Sequence, residues 1–261
     1  VTINEADASH SVRVTEQGWT NRREAVLLGE TNGGGFQPNI SYGLLEMAEA
    51  RLPGNAVTDA MVLGLSARQA ADGSWNINAD IRPPLTGSSI TATALAIRGL
   101  RAYAPPSRQS EMDERVARGL DFLRRATPRD TQDRAFRLLG LVWGGATPTE
   151  IAEARTALFA LQRQDGGFGQ WPTMDTDAYA TGQALYALHA AGVAASDTHY
   201  RKGADYLLRT QLEDGTWFVR TRAFGFQPYF ETGFPHGRSQ FISTVATSWA
   251  SIALTYTLEK Q

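Results

Sequence analysis

The sequence predicts an all-α fold, an α/α toroid of about five to six helical hairpins, and three observations carry that prediction. A turn string recurs along the chain: QAADGSW at 69–75 returns as QRQDGGF at 162–168 and as QLEDGTW at 211–217. Each copy follows one helical pattern and precedes another of different composition. With the less regular pieces before residue 72 (21–31, 39–52 and 57–71), the helices number roughly ten, too few for a long superhelix and suited to a closed ring of hairpins.

The repeat length follows from the Asp-Gly pairs, whose aspartates stand at 72, 165 and 214, spacings of 93 and 49 residues. Since 93 is nearly twice 47, a weakened copy belongs midway. RGLDFLRRATPRD at 118–130 fills that place without the Gln or the aromatic. The helices before the tails carry charged stripes, as in 110–126, and so face water. Those after them, at 90–100, 133–143, 178–188 and 244–254, are rich in Ala, Gly, Ser and Thr and belong inside. Thr147-Pro148-Thr149-Glu150 supplies an N-cap, a first-turn proline and a capping-box glutamate, while Gly145 and Gly192 stand at helix ends. Strand-like alternation is confined to 11–14. The expected organisation is one domain over 1–261, irregular to residue 56 and regular from 57.

Composition removes several classes of function. The 261 residues hold no cysteine, which excludes disulfides, thiolate metal sites and cysteine nucleophiles. A net charge of −2 lacks the basic surplus that nucleic-acid binding requires. No apolar run reaches 18 residues. A start at Val1 without Met or cationic leader fits either a removed leader or an excised domain.

The Gln…Asp-Gly-x-aromatic tails resemble the QW motifs of squalene–hopene cyclases and related terpenoid cyclases, over about residues 57–258. The toroid shared by those cyclases and the protein prenyltransferase β subunits has this outer–inner helix order. The resemblance implies that Gln69/Trp75, Gln162 or Gln164/Phe168 and Gln211/Trp217 tie adjacent repeats together. From Arg82 onward the chain also resembles bacterial squalene-cyclase-like proteins of undefined activity, on phrases such as DAYATGQALYALHAAG and FQPYFETGFPHG. That likeness implies export. The upstream haem segment of some of those proteins does not carry over, since cysteine is absent, and no cofactor is expected. The zinc of the prenyltransferases needs Asp, Cys and His, so that activity fails here. His10, His189, His199 and His236 form no ligand pair at helical spacing.

Aligned on the acid motif of hopene-type cyclases, Asp175 and Asp177 match its first and middle acids, and Ala178 replaces the last. Protonating an alkene needs a neutral carboxyl made acidic by its partners. Superposing the inner helices, however, puts Asp177 in register with Ser89, Asp133 and Ser243, all good N-caps, so the repeat alone explains it. Asp175, whose register mates are Gly87, Thr131 and Phe241, exceeds what the repeat needs. Asp133 and Arg134 mark the same polar rim.

The connection from aromatic tail to inner-helix cap takes 14 residues at 75–89, 9 at 168–177 and 26 at 217–243. The extra segment, 218–241, is expected to drape over that rim near the acids, and its aromatic content argues against disorder. Phe226, Tyr229, Phe230, Phe234, Arg222 and Asp133 are the candidate substrate contacts, and Glu231 or His236 the candidate terminal base. The segment equally suits a plug held by an Arg222–Glu231 pair, or a binding surface. Three functions follow as expectations: acid-initiated isoprenoid cyclisation by Asp175/Asp177; a non-catalytic module binding an apolar ligand or protein partner through the rim; and a carbohydrate-active toroid using paired carboxylates such as Asp175 and Glu231.

Overall fold

The computed structural model describes residues 5–30, 36–77, 82–85, 87–223, 225 and 229–258. Among them the chain is mostly α-helical, with a single two-stranded sheet of two residues per strand. It divides into two compact units, Val1–Ala79 with Ser88–Ala126, and Asp80–Gly87 with Thr127–Gln261.

The first unit holds α1 (Glu5–Thr20), α2 (Arg23–Leu27), α3 (Phe36–Glu49), α4 (Ala56–Ser66), α5 (Ser89–Tyr103) and α6 (Gln109–Arg125). The N-terminal part is thus more regular than its sequence suggests, and the alternation at 11–14 lies inside α1. Apolar residues in α1 are diluted by charge, and among its residues with described burial Trp19 alone is deeply buried. Asn55 begins α4 with a reciprocal capping box to Thr58. Helix α5 is the inner helix, buried along most of its length, and packs against α3 and α6. Helix α6 buries one stripe, Met112, Val116, Leu120 and Leu123, and turns its charged face outward.

The second unit holds α7 (Thr131–Gly144), α8 (Pro148–Phe159), α9 (Ala178–Ala190), α10 (Thr198–Thr210) and α11 (Gln240–Thr255). Inner helix α9 packs against α7 on one side and α11 on the other. Small residues permit this: a Cβ on Gly182 would lie 2.6 Å from the Trp249 carbonyl carbon. Trp249 is buried and meets Tyr186 and, edge-on, Phe136. Thr147, Pro148 and Glu150 form the expected capping box, and Gly145 closes α7 at φ 81°. His189 stacks on Tyr256 at 3.8 Å, but its buried Nδ1 has no hydrogen-bond partner.

The three tails share one backbone anchor, and pairs of them share two further contacts. The backbone N–H groups of Trp75, Phe168 and Trp217 donate to Thr93, Thr181 and Thr247 on the following inner helix. The indoles of Trp75 and Trp217 donate to the carbonyls of Leu65 and Leu207 on the preceding outer helix. Gln69 and Gln162 reach backbone carbonyls of α6 and α10, whereas Gln211 bonds the Gly215 carbonyl of its own tail. The three threonines put Ser89, Asp177 and Ser243 in one register, as expected, but only Asp177 caps. Ser88 caps α5, Asp130 caps α7, and the Ser243 hydroxyl instead bonds to Val219 backbone.

Candidate functional site

The polar end of the second unit is built around the start of α9. Strand β1 (Phe168–Gly169) pairs antiparallel with β2 (Thr176–Asp177), Phe168 opposite Asp177, which folds the tail back onto the helix N-terminus. Asp177 has extended backbone (φ −143°, ψ 165°). One carboxylate oxygen accepts from the Ala180 N–H at 2.8 Å, and the other from Gln170 Nε2 at 2.7 Å. Burial pushes the Asp177 carboxyl up, while those two donors and the Arg222 guanidinium pull it back.

Gln170 is the hub. It is buried, and its Oε1 accepts from Arg222 Nε at 2.9 Å and Nη2 at 2.8 Å. Arg222 thereby reaches Asp177 through one amide whose orientation it fixes. The Arg222–Glu231 pair does not form. Arg222 goes to Gln170, whereas Glu231 is exposed and accepts from the Tyr229 hydroxyl and the Gly233 N–H.

Asp130 and Asp133 complete the cluster. The Asp130 carboxylate accepts from the Asp133 N–H at 2.8 Å, and Asp133 accepts from the Arg129 N–H at 2.9 Å. Asp133 is therefore a buried third-position acid, not the cap. Burial pushes Asp130 up to about 6, with the Asp133 charge adding to the rise and Arg129 and Arg222 opposing it. Thr131 pins this helix start to the tail through the Gly169 and Gln170 carbonyls, and Tyr179 donates to Gln132. Asp130 and Gln170 escaped the sequence reading. Gln170 has a usable signal, because the residue two past the aromatic is Ile77, Gln170 or Val219, and the polar one stands out.

Asp175 stands apart from the cluster, exposed on an open groove of about 530 Å³ with Arg163, Gln164, Asp165, Thr176 and Tyr206. Its surroundings are polar. Among the described residues, Arg222 links the 218–241 segment to Asp177 through Gln170. His236 turns to the tail, bonding Thr216 at 2.8 Å and meeting Phe218 and Phe234 edge-on. Buried Gln240, also missed in the sequence, holds the 229–234 turn. Its Nε2 donates to the Tyr229 hydroxyl and the Phe230 carbonyl, and its Oε1 accepts from Thr232. On that turn Tyr229 and Phe230 are 55% and 64% exposed, beside Phe218 at 53% and Phe241 at 43% elsewhere in the segment. Phe226 lies outside the described residues.

An acid able to protonate an alkene must hold its proton toward the substrate. Both oxygens of Asp177 accept from N–H donors, an arrangement that favours the anion and uses the carboxylate to cap and brace. Among the described residues no three His, Asp or Glu side chains gather as metal ligands, and no helix is long and apolar enough to cross a membrane. No protein-family model matches the chain, and no curated protein matches its sequence.

Proposed function

We propose that this chain is a squalene-cyclase-like, α/α-toroid-type repeat protein that binds an apolar, isoprenoid-like ligand through its aromatic rim without transforming it. The observation that carries this reading is the pair Tyr229 and Phe230, mostly exposed yet fixed on a turn that a buried glutamine braces. Exposed aromatics held rigidly bury apolar area on binding at little entropic cost. The toroid part is supported by the outer–inner helix order and by the repeated tail anchors.

A second reading, acid-initiated cyclisation, is favoured by the upward push on Asp177. One experiment separates them: titration of C15–C30 isoprenoid alcohols and hydrocarbons by calorimetry, followed by product analysis of the same mixtures. Saturable binding with unchanged ligand is the expected result. A cyclised product that disappears in Asp177→Asn would install the cyclase reading instead. Absence of both binding and product would refute both.

A further inference from the structure

Two of the tails are locked onto the next outer helix by one contact set. In the first, Gln69 Nε2 donates to the Gly73 and Arg115 carbonyls, and Arg125 donates to the Asp72 carbonyl. In the other, Gln162 Nε2 donates to the Gly166 and His199 carbonyls, and Arg209 to the Asp165 carbonyl. The glycine of each turn lies so close to the receiving helix that a Cβ would sit 2.3 Å from the Arg118 or Lys202 oxygen. Each receiving helix follows that residue with a glycine of its own, Gly119 or Gly203. Both are buried, with Cβ directions blocked by Ile97 at 3.2 Å and Leu185 at 2.8 Å.

The last tail has the same internal form and is open. Gln211 Nε2 donates to the Gly215 carbonyl, and Gly215 keeps its positive φ of 82°. Yet Gln211 and Gly215 are exposed where Gly73 and Gly166 are buried, and the nearest atom to a Cβ on Gly215 is Gln211's own Nε2, at 3.9 Å. Leu208 and Leu212 beside it are 58% and 43% exposed.

Helix α1 is the complementary piece. Gln17-Gly18 stands in the place of Arg118-Gly119 and Lys202-Gly203, followed by buried Trp19 as those are by Leu120 and Ala204. Gly18 is exposed, and nothing lies within 4 Å of its Cβ direction. The arginine six residues beyond the glycine is not reproduced, since Glu24 holds that position. Docking therefore rests on the glycine approach, the glutamine bond and the two leucines.

We infer that the 211–215 tail of one copy docks on α1 of a second copy, Gly215 against the Gln17 carbonyl, giving head-to-tail association. Sedimentation of the full chain up to ~100 μM, a hundredfold above a micromolar dissociation constant, reads the mass. The wild type is expected to grow in mass with concentration. Gly18→Leu, which fills the open socket, and Leu212→Glu, which charges the tail, each raise the dissociation constant at least about tenfold. Both positions are exposed, and circular dichroism verifies that the variants fold. Mixed one to one, the two variants form a dimer that grows no further, because one intact tail meets one intact head. A wild type that stays monomeric throughout overturns the inference and leaves the toroid reading standing. Variants that self-associate like wild type, or that fail to pair with each other, overturn it as well.

Discussion

Asp130 and Asp177 are both N-caps with carboxyls raised by burial, and they answer differently to the same substitution. Asp177 accepts two N–H donors, one per oxygen, and the Gln170 amide cannot turn over because Arg222 holds its oxygen. Asparagine offers one acceptor, so Asp177→Asn leaves a donor facing a donor. It is expected to cost about as much as Asp177→Ala, roughly 1–3 kcal/mol by urea denaturation. At Asp130 a single oxygen takes the Asp133 N–H, and asparagine caps equally well. The native carboxyl titrates near 6 against 3.8 for the free group. Its contribution to stability is therefore complete below the unfolded value and is lost as pH rises from about 4 to 6. Asp130→Asn should flatten that decline and stabilise the protein by roughly 1–3 kcal/mol at pH 7. A variant whose unfolding free energy keeps the wild-type slope between pH 4 and 6 would show that another group governs it.

At the scale of elements, the tails do the joining, and their glycines differ in kind. Gly166 and Gly192 both have positive φ, 91° and 84°. A Cβ at Gly192 meets nothing within 4 Å, whereas one at Gly166 strikes the Lys202 carbonyl. Gly192→Ala should cost only the backbone strain, about 1 kcal/mol, and Gly166→Ala several times that, since α10 must move away. Thermal unfolding of the two variants makes the comparison. These tails were legible in the sequence because Gln, Asp-Gly and the aromatic recur at fixed offsets, and the turn they build is the same in all three. Helix starts were less legible. Asp130-Thr131-Gln132-Asp133 offers three plausible caps within four residues, and only the approach of Gly169 and Gln170 selects the first. Gln170 stands out at its offset, but its partner was illegible, because only the return of the distant 218–241 segment brings Arg222 to it.

For the molecule as a whole, part of the exposed apolar surface belongs to the 218–241 segment, where Phe218, Tyr229, Phe230 and Phe241 lie outside the core. Phe230 is 64% exposed, so Phe230→Ser removes little packing and should leave stability within about 0.5 kcal/mol of wild type. If the rim is the ligand surface, the same variant weakens isoprenoid binding about tenfold, the worth of one aromatic contact of roughly 1.4 kcal/mol. Gln240→Leu tests the brace instead. It keeps the volume at the start of α11 but frees the Tyr229 hydroxyl, the Phe230 carbonyl and the Thr232 donors together. It should cost roughly 1–3 kcal/mol of stability and lower affinity, because the aromatics must then be ordered by the ligand. Calorimetric titration and urea unfolding on both variants give four numbers. Affinity lost in Phe230→Ser without stability, and both lost in Gln240→Leu, is the pattern of a preorganised binding rim. Unchanged affinity in Phe230→Ser would place the ligand away from this turn.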